Sequence, residues 1–131
     1  MPHLQFEFNF PLNDNDKKEF AEEIKQLFSR VMDTGCEHIA ITLRSYERYA
    51  LALGRATSAA DGIAFVNADI RAGRSPKQKR QLCLQFMHAI ERRWQVPLQN
   101  MYVILSEHPG EHFHLHDRVL DGWSEGEDPL A

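Results

Sequence analysis

Pro2 is the residue in this sequence with the most distinctive chemical potential. If Met1 is removed, which a small second residue such as proline normally permits, Pro2 becomes a secondary amine at the start of the chain. An α-amino group has a reference pKa of about 8, and desolvation or nearby cations lower that pKa towards a neutral amine at pH 7. A neutral amine in a fixed position is a competent general base. The simpler interpretation is that Met-Pro is an accidental start.

Arg44 and Arg74 are the second chemical feature, with Arg71 close to Arg74 along the chain. Arg44 lies at the end of a predicted strand, and Arg74 lies in the turn that leads into a predicted helix. A planar guanidinium suits bidentate binding of a carboxylate, and a cation beside an amine lowers the pKa of that amine. The alternative is that these arginines are solvated surface charges.

Three histidines, His112, His114 and His116, alternate with Phe113 and Leu115. Their spacing places the three imidazoles on one face of a strand, if the segment is a strand. Alternate histidines can bind zinc through neutral ring nitrogens, but no cysteine lies nearby to complete such a site. We therefore favour a polar strand face at a subunit contact and predict no metal.

The composition limits the class of protein. The chain has 131 residues, of which 43% are hydrophobic and 26% charged, with a net charge of −4. This length predicts one domain, residues 1–131. No apolar run reaches the roughly 18 residues of a membrane span, and the mild acidity argues against nucleic-acid binding. Cys36 and Cys83 are isolated, so we expect buried free thiols in a cytoplasmic protein.

The element that would position Pro2 is a strand that begins beside it. Its two faces alternate strictly, with Leu4, Phe6, Phe8 and Phe10 on one side and His3, Gln5, Glu7 and Asn9 on the other. This alternation predicts a strand with one buried face. Because proline has no amide hydrogen to donate to a ladder, we expect the start of this strand to lie at the edge of a sheet.

Two helices are predicted from their apolar spacing and their caps. The first spans about residues 16–33, with a capping box from Asp16 to Glu19 and Gly35 in the left-handed position at its end. The second begins at Pro76, after Ser75 as N-cap with Gln78 completing a capping box, and Pro97 stops it.

Three further strands are predicted, at residues 39–44, 62–71 and 101–105, and the last is so apolar that we expect it to be central. Residues 45–61 are interpreted as an irregular hairpin or arm. The order strand, helix, strand therefore occurs twice, and each helix makes its flanking strands parallel. The predicted fold is a two-layer α+β domain, a four-stranded sheet with both helices on one face and the other face free for an oligomer.

Several stretches carry a family resemblance. They are Met1-Pro2-His3, then Thr34-Gly35 before a strand that ends in Leu43-Arg44-Ser45, then Ala64-Phe65-Val66 running on to Ala72-Gly73-Arg74-Ser75. Their order and spacing over about residues 2–106 resemble the tautomerase superfamily. Within it, the chain looks most like 5-carboxymethyl-2-hydroxymuconate isomerase.

The resemblance implies a cofactor-independent isomerase of aromatic catabolism that works as a homotrimer, with active sites at subunit boundaries. It makes Pro2 the catalytic base and Arg44 and Arg74 substrate-binding residues. Arg71 joins them because a decarboxylase branch of the superfamily also has closely spaced arginines at this turn. The implied reaction moves a proton from a 2-hydroxyl to a conjugated carbon of an unsaturated dicarboxylate or tricarboxylate.

The resemblance is weaker in residues 45–61 and after Ser106. The segment from Gly110 to Trp123 looks at least as much like the decarboxylase branch. Two alternatives therefore remain: a decarboxylase or hydratase of a three-carbon acid, and a non-catalytic trimeric binding protein. Retention of Met1 would favour the binding protein, since an acylated proline nitrogen has no basic lone pair.

Overall fold

The computed structural model describes residues 2–119, so the expectations about Met1 and about the segment after Val119 lie outside it. The main strands are β1 (His3–Phe8), β2 (Ala40–Ser45), β3 (Ala64–Arg71) and β4 (Met101–His108). The helices are α1 (Asp14–Met32) and α2 (Pro76–Trp94). A short hairpin, β5 (His114–Leu115) with β6 (Arg118–Val119), follows β4.

The four long strands form one sheet in the order β2-β1-β3-β4. β1 is parallel to β2 and β3 is parallel to β4, whereas β1 and β3 are antiparallel. The prediction of two strand–helix–strand units with parallel flanking strands is confirmed. Because β1 has a neighbour on each side, the expectation that Pro2 begins an edge strand is wrong.

Both helices pack on the same face of the sheet, as predicted. Phe6 of β1 lies under the pair, since its ring centroid is 5.2 Å from that of Phe20 in α1 and 5.4 Å from that of Phe86 in α2. Leu4, Phe6 and Phe8 are fully buried beneath the helices. Burial of such side chains is worth about 2 kcal/mol each and fixes which face of β1 is internal.

β4 is an edge strand of this sheet, so the expectation that it is central is wrong. Its apolar residues divide between two faces. Met101 is buried under the helices, whereas Tyr102 and Ile104 point to the uncovered face and are 54% and 50% exposed. An all-apolar run indicates two apolar faces, and here one of them has no covering element within residues 2–119.

The caps of α1 differ from the prediction. Asn13 is the N-cap, because its side chain accepts a hydrogen bond from the amide of Asp16 at 2.8 Å, and the helix begins at Asp14. The left-handed residue at its end is Asp33, with φ 52°, and not Gly35. The cap of α2 is confirmed, since Ser75 and Gln78 form the reciprocal capping box.

Residues 45–61, predicted to be an irregular hairpin or arm, contain two short 3-10 turns, Arg48–Ala50 and Ala59–Asp61, so the hairpin is wrong and the segment is an irregular arm. Asn9 holds both turns: its amide donates to the carbonyls of Arg48 at 3.0 Å and Ala59 at 2.9 Å, and its Oδ1 accepts from the amide of Ile63. Asn9 is only 4% exposed, so its expected place on the open face is also wrong. β1 ends at Phe8, and the alternation no longer applies beyond it.

The state of the two cysteines and the lack of a membrane span were both predicted from the sequence. Cys36 and Cys83 are free, but they are half-buried and not buried. Neither α1, α2 nor any other helix within residues 2–119 is long and apolar enough to cross a membrane.

Candidate functional site

Pro2 is buried at the start of an interior strand. Its carbonyl accepts a hydrogen bond from the amide of Ala40 at 3.1 Å, which ties the beginning of β1 to the beginning of β2. β3 runs in the opposite direction, and His3 pairs with Asp69. The carboxyl end of β3, with Arg71, therefore lies at the same end of the sheet as Pro2.

Arg71 and Arg74 belong to the turn that leaves β3. The amide of Ala72 donates to the carbonyl of His108 at 2.9 Å, and Gly73, with φ 113°, allows the left-handed backbone that directs the chain into α2. Within residues 2–119, neither arginine makes an ion pair or a side-chain hydrogen bond. Two uncompensated guanidinium groups at this end of the sheet form a site suited to an anion.

Arg44 lies at the other end of the sheet. It pairs with Glu7 in the parallel register of β1 and β2, five residues from Pro2, which corresponds to about 16 Å along the strand. Its guanidinium donates to Oε1 of Gln5 at 2.9 Å. A single chain therefore places Pro2 and the Arg71–Arg74 turn at the same end of the sheet, whereas the backbone of Arg44 lies towards the other end.

His38 is a further buried polar residue at the Pro2 end, which the sequence analysis did not single out. It precedes Ala40 by two residues and is 7% exposed. Burial is the main reason that its pKa lies below the ordinary histidine value, and the positive charge of Arg118 acts in the same direction. His38 is therefore a neutral imidazole near neutral pH.

The segment after β4 folds back towards this end of the sheet. Arg118 lies 3.8 Å from a carboxylate oxygen of Glu37, in the turn before β2, and its guanidinium donates to Asp117 at 2.9 Å. That hydrogen bond is the main cause of the lowered pKa of the Asp117 carboxyl. Gly110 lies against the guanidinium of Arg71. The segment is therefore in contact with both sides of this end of the sheet, at Glu37 and at Arg71.

The histidine triplet does not form the predicted strand face. His112 lies in a 3-10 turn, His114 in β5 and His116 in the following turn, and all three are exposed. The turn at His116 and Asp117 ends the alternation after Leu115. No group of three potential metal ligands is found among residues 2–119.

The sheet face away from the helices carries a row of paired polar side chains. His3 contacts Thr42 at 2.8 Å, and His108 contacts Asp69 at 2.9 Å. Beside them are the exposed apolar side chains of Tyr102 and Ile104 on the β4 edge. Within residues 2–119 no element covers this face, which combines hydrogen-bonded polar groups with an apolar edge, as subunit interfaces do.

The arrangement at the Pro2 end can perform proton transfer on an anionic substrate. A terminal amine at Pro2 would be partly desolvated by the surrounding core, and the arginine turn lies at the same end of the sheet. Burial and nearby positive charge both lower an amine's pKa. General base catalysis with electrostatic stabilisation of the developing anion requires these parts.

Comparison with known proteins supports the fold. No protein-family model matches the sequence, and no curated protein matches it. A member of the cis-3-chloroacrylic acid dehalogenase family is 20% identical with a TM-score of 0.79, over 95% of this chain and 85% of that one. A fused 4-OT described as an asymmetric trimer is 19% identical with a TM-score of 0.77, over 92% and 97%.

A macrophage migration inhibitory factor-like protein from Entamoeba histolytica is 17% identical with a TM-score of 0.74, over 90% of this chain and 97% of that one. The chain has the fold of these structural neighbours over nearly its whole length, and the predicted fold class is confirmed.

Proposed function

We propose that this protein is a cofactor-independent isomerase in which Pro2, exposed by removal of Met1, is the general base. The observation that carries the proposal is the burial of Pro2 at the start of an interior strand, at the same end of the sheet as the Arg71–Arg74 turn, whose guanidinium groups have no ion pair within residues 2–119. The fold shared with enzymes such as a dehalogenase-family member supports a catalytic role for this end.

In the proposed reaction, the amine of Pro2 removes the proton of a 2-hydroxyl group on an unsaturated dicarboxylate or tricarboxylate. The same proton is returned to a conjugated carbon, which gives the α,β-unsaturated ketone and regenerates the base. Arg71 and Arg74 bind carboxylates, and the adjacent positive charge stabilises the enolate that forms on the way. A substrate of the 5-carboxymethyl-2-hydroxymuconate type, from aromatic catabolism, has this chemistry.

The active form in this proposal is a homotrimer. The open sheet face presents exposed Tyr102 and Ile104 along an unpaired strand edge, which is a natural surface for association with identical copies. A structural neighbour, a fused 4-OT, is described as a trimer. Arg44, about 16 Å from Pro2 in one chain, would then serve the active site of an adjacent subunit.

We further propose that residues 1–131 form one domain and that the protein works in the cytoplasm. The free thiols of Cys36 and Cys83 agree with a reducing compartment. Burial raises the pKa of the Cys83 thiol, so that thiol is a poor nucleophile and is not part of the chemistry.

The test is ketonisation of 2-hydroxymuconate, followed by ultraviolet absorbance, with removal of Met1 checked by intact mass. The wild type should be fast, and Pro2→Ala should lose a hundredfold or more of the rate, roughly the contribution of a general base. Equal rates near background for the wild type and Pro2→Ala would refute the isomerase proposal. A parallel assay uses cis-3-chloroacrylate, the three-carbon acid in a neighbour's family name, and tests the alternative of an enzyme that acts on a three-carbon acid. No activity with either substrate would favour a non-catalytic binding protein.

A further inference from the structure

Gly110 is placed so that the guanidinium of Arg71 lies directly against its backbone. A Cβ atom added at Gly110 would be 3.0 Å from Nε of Arg71 and 3.5 Å from its Cζ and Nη2. An ordinary contact between such atoms is about 3.5–4.0 Å. Any side chain at residue 110 would therefore displace the guanidinium by several tenths of an ångström.

The backbone at Gly110 does not itself require glycine. The glycines with positive φ among residues 2–119 are Gly62 and Gly73, and Gly110 is not one of them. It begins the 3-10 turn Gly110–His112, and its carbonyl accepts from the amide of Phe113 at 3.1 Å, a bond that alanine would keep. The absence of a side chain at residue 110 thus serves the neighbouring guanidinium and not the turn.

The contact joins two elements that are far apart in sequence. Arg71 pairs with His108 in the register of β3 and β4, and Gly110 follows two residues later. The ring of Phe113 in the same segment packs edge-on against His108 at 5.7 Å. The segment after β4 therefore packs on the strand pair that carries Arg71, with Gly110 beside the guanidinium of that residue.

We propose that Gly110 is a positioning residue: because it has no side chain, it leaves room for the Arg71 guanidinium in the orientation in which that group binds a substrate carboxylate. The inference rests on the proposed function for the identity of the substrate, but not for the contact itself. A guanidinium bound bidentately to a carboxylate tolerates little displacement, since both N–H···O bonds must align. Gly110 would thereby set substrate affinity without contacting the reacting atoms.

The experiment compares Gly110→Ala with Gly54→Ala, a matched control because a Cβ at Gly54 meets no atom within 4 Å and its φ is not positive. With 2-hydroxymuconate, Gly110→Ala should raise KM roughly tenfold, the value of one bond to a charged group, and change kcat much less. Gly54→Ala should match the wild type. Both variants should unfold within about 3 °C of it, because no core contact is lost.

A double-mutant cycle separates positioning from a general structural role. In an Arg71→Ala background, Gly110→Ala should have no further effect on KM, since the group that it displaces is absent. An undiminished effect in that background, or a KM in Gly110→Ala equal to that of the wild type, would overturn the proposal.

A readout independent of turnover keeps this test separate from that of the proposed function. The Arg71 Nε–Hε NMR resonance can be assigned by its loss in Arg71→Lys. This resonance should move in Gly110→Ala and not in Gly54→Ala. In Gly110→Ala, the adipate concentration that half-saturates the change in this resonance should be roughly tenfold higher than in the wild type. If the wild type does not turn over 2-hydroxymuconate, the isomerase fails, and this titration alone decides the role of Gly110. An unchanged resonance and adipate affinity would refute it.

Discussion

The separation of Arg44 from Pro2 predicts complementation between subunits. Glu7, the register partner of Arg44, is five positions after Pro2, or about 16 Å between the two backbone positions, which is far longer than a bidentate contact across one substrate. If Arg44 binds substrate, it must do so at the Pro2 site of another copy. Pro2→Ala and Arg44→Ala subunits should then each be nearly inactive as pure trimers, and mixtures should regain activity.

The size of the recovery follows from the geometry of a cyclic trimer. A site is intact when its own subunit supplies Pro2 and the neighbour supplies Arg44. In a randomly assembled equal mixture that combination occurs at about a quarter of the sites, because each condition is met with a probability of about one half. Without an intersubunit site, the mixture would show only the average of the two residual activities.

The assay is ketonisation of 2-hydroxymuconate after the two variants have been unfolded together in urea, refolded and checked for trimers by light scattering. A mixture of Pro2→Ala with Arg71→Ala serves as the negative control, because both residues belong to the same subunit's part of the site and no mixed trimer then holds an intact site. Recovery to about a quarter of the wild-type rate supports the placement of Arg44 at a neighbour's site. A mixed rate equal to the average of the pure variants, with trimers present, would refute this reasoning.

Three further outcomes follow from contacts in the fold. Asn9→Ala removes three side-chain hydrogen bonds, of which the one with Ile63 is buried and those with Arg48 and Ala59 are part-buried. It should lower the free energy of unfolding in urea by about 2–4 kcal/mol, and a loss below about 1 kcal/mol would contradict the role of Asn9 in holding the two turns. Ile104→Arg on the open face should give monomers in light scattering, with Leu84→Arg on the exposed surface of α2 as the control that stays assembled. Burial lowers the pKa of His38 in the folded chain, so the unfolded chain binds a proton at a pH where the folded chain does not. Stability is therefore lost as the pH falls through the pKa of the unfolded chain's histidine, about 6.5. The urea midpoint should drop between pH 7.5 and 5.5, and by less in His38→Gln; an identical drop would exclude His38 as the cause.

The parts of the fold that local sequence determines were predictable. Ser75, Pro76 and Gln78 form the capping box of α2 within one helical turn, and this cap needs no information from elsewhere in the chain. The alternation of β1 likewise predicted the burial of Leu4, Phe6 and Phe8, because the buried face of a strand repeats every second residue. Spacing and residue type were sufficient in both cases.

The order of the strands was not predictable in this way. The apolar run of β4 indicates that both faces avoid water, but it does not say whether the cover comes from the same chain. The position of Pro2 in an interior strand depends on the pairing of β1 with β3, whose residues lie about sixty positions away. Such pairing is a property of the whole sheet and leaves little local signal.

The candidate site was predicted in its residue types but not in its geometry. The sequence indicated Arg44, Arg71 and Arg74 alike as carboxylate-binding residues, and the strand register divides them between the two ends of the sheet. Gly110 and His38 had no signal of their own, since one is defined by a contact with Arg71 and the other by burial. Both features arise only when distant segments meet.

The central claim is that Pro2 acts as a neutral amine base, and the most direct measurement is an NMR titration of protein labelled with ¹⁵N-proline, after removal of Met1 is verified by mass. The Pro2 nitrogen should titrate with a pKa below the α-amino reference of about 8, and the same value should limit kcat/KM at low pH. A Pro2 nitrogen that does not titrate, or that titrates above this reference with no matching limb in the rate profile, would contradict the account.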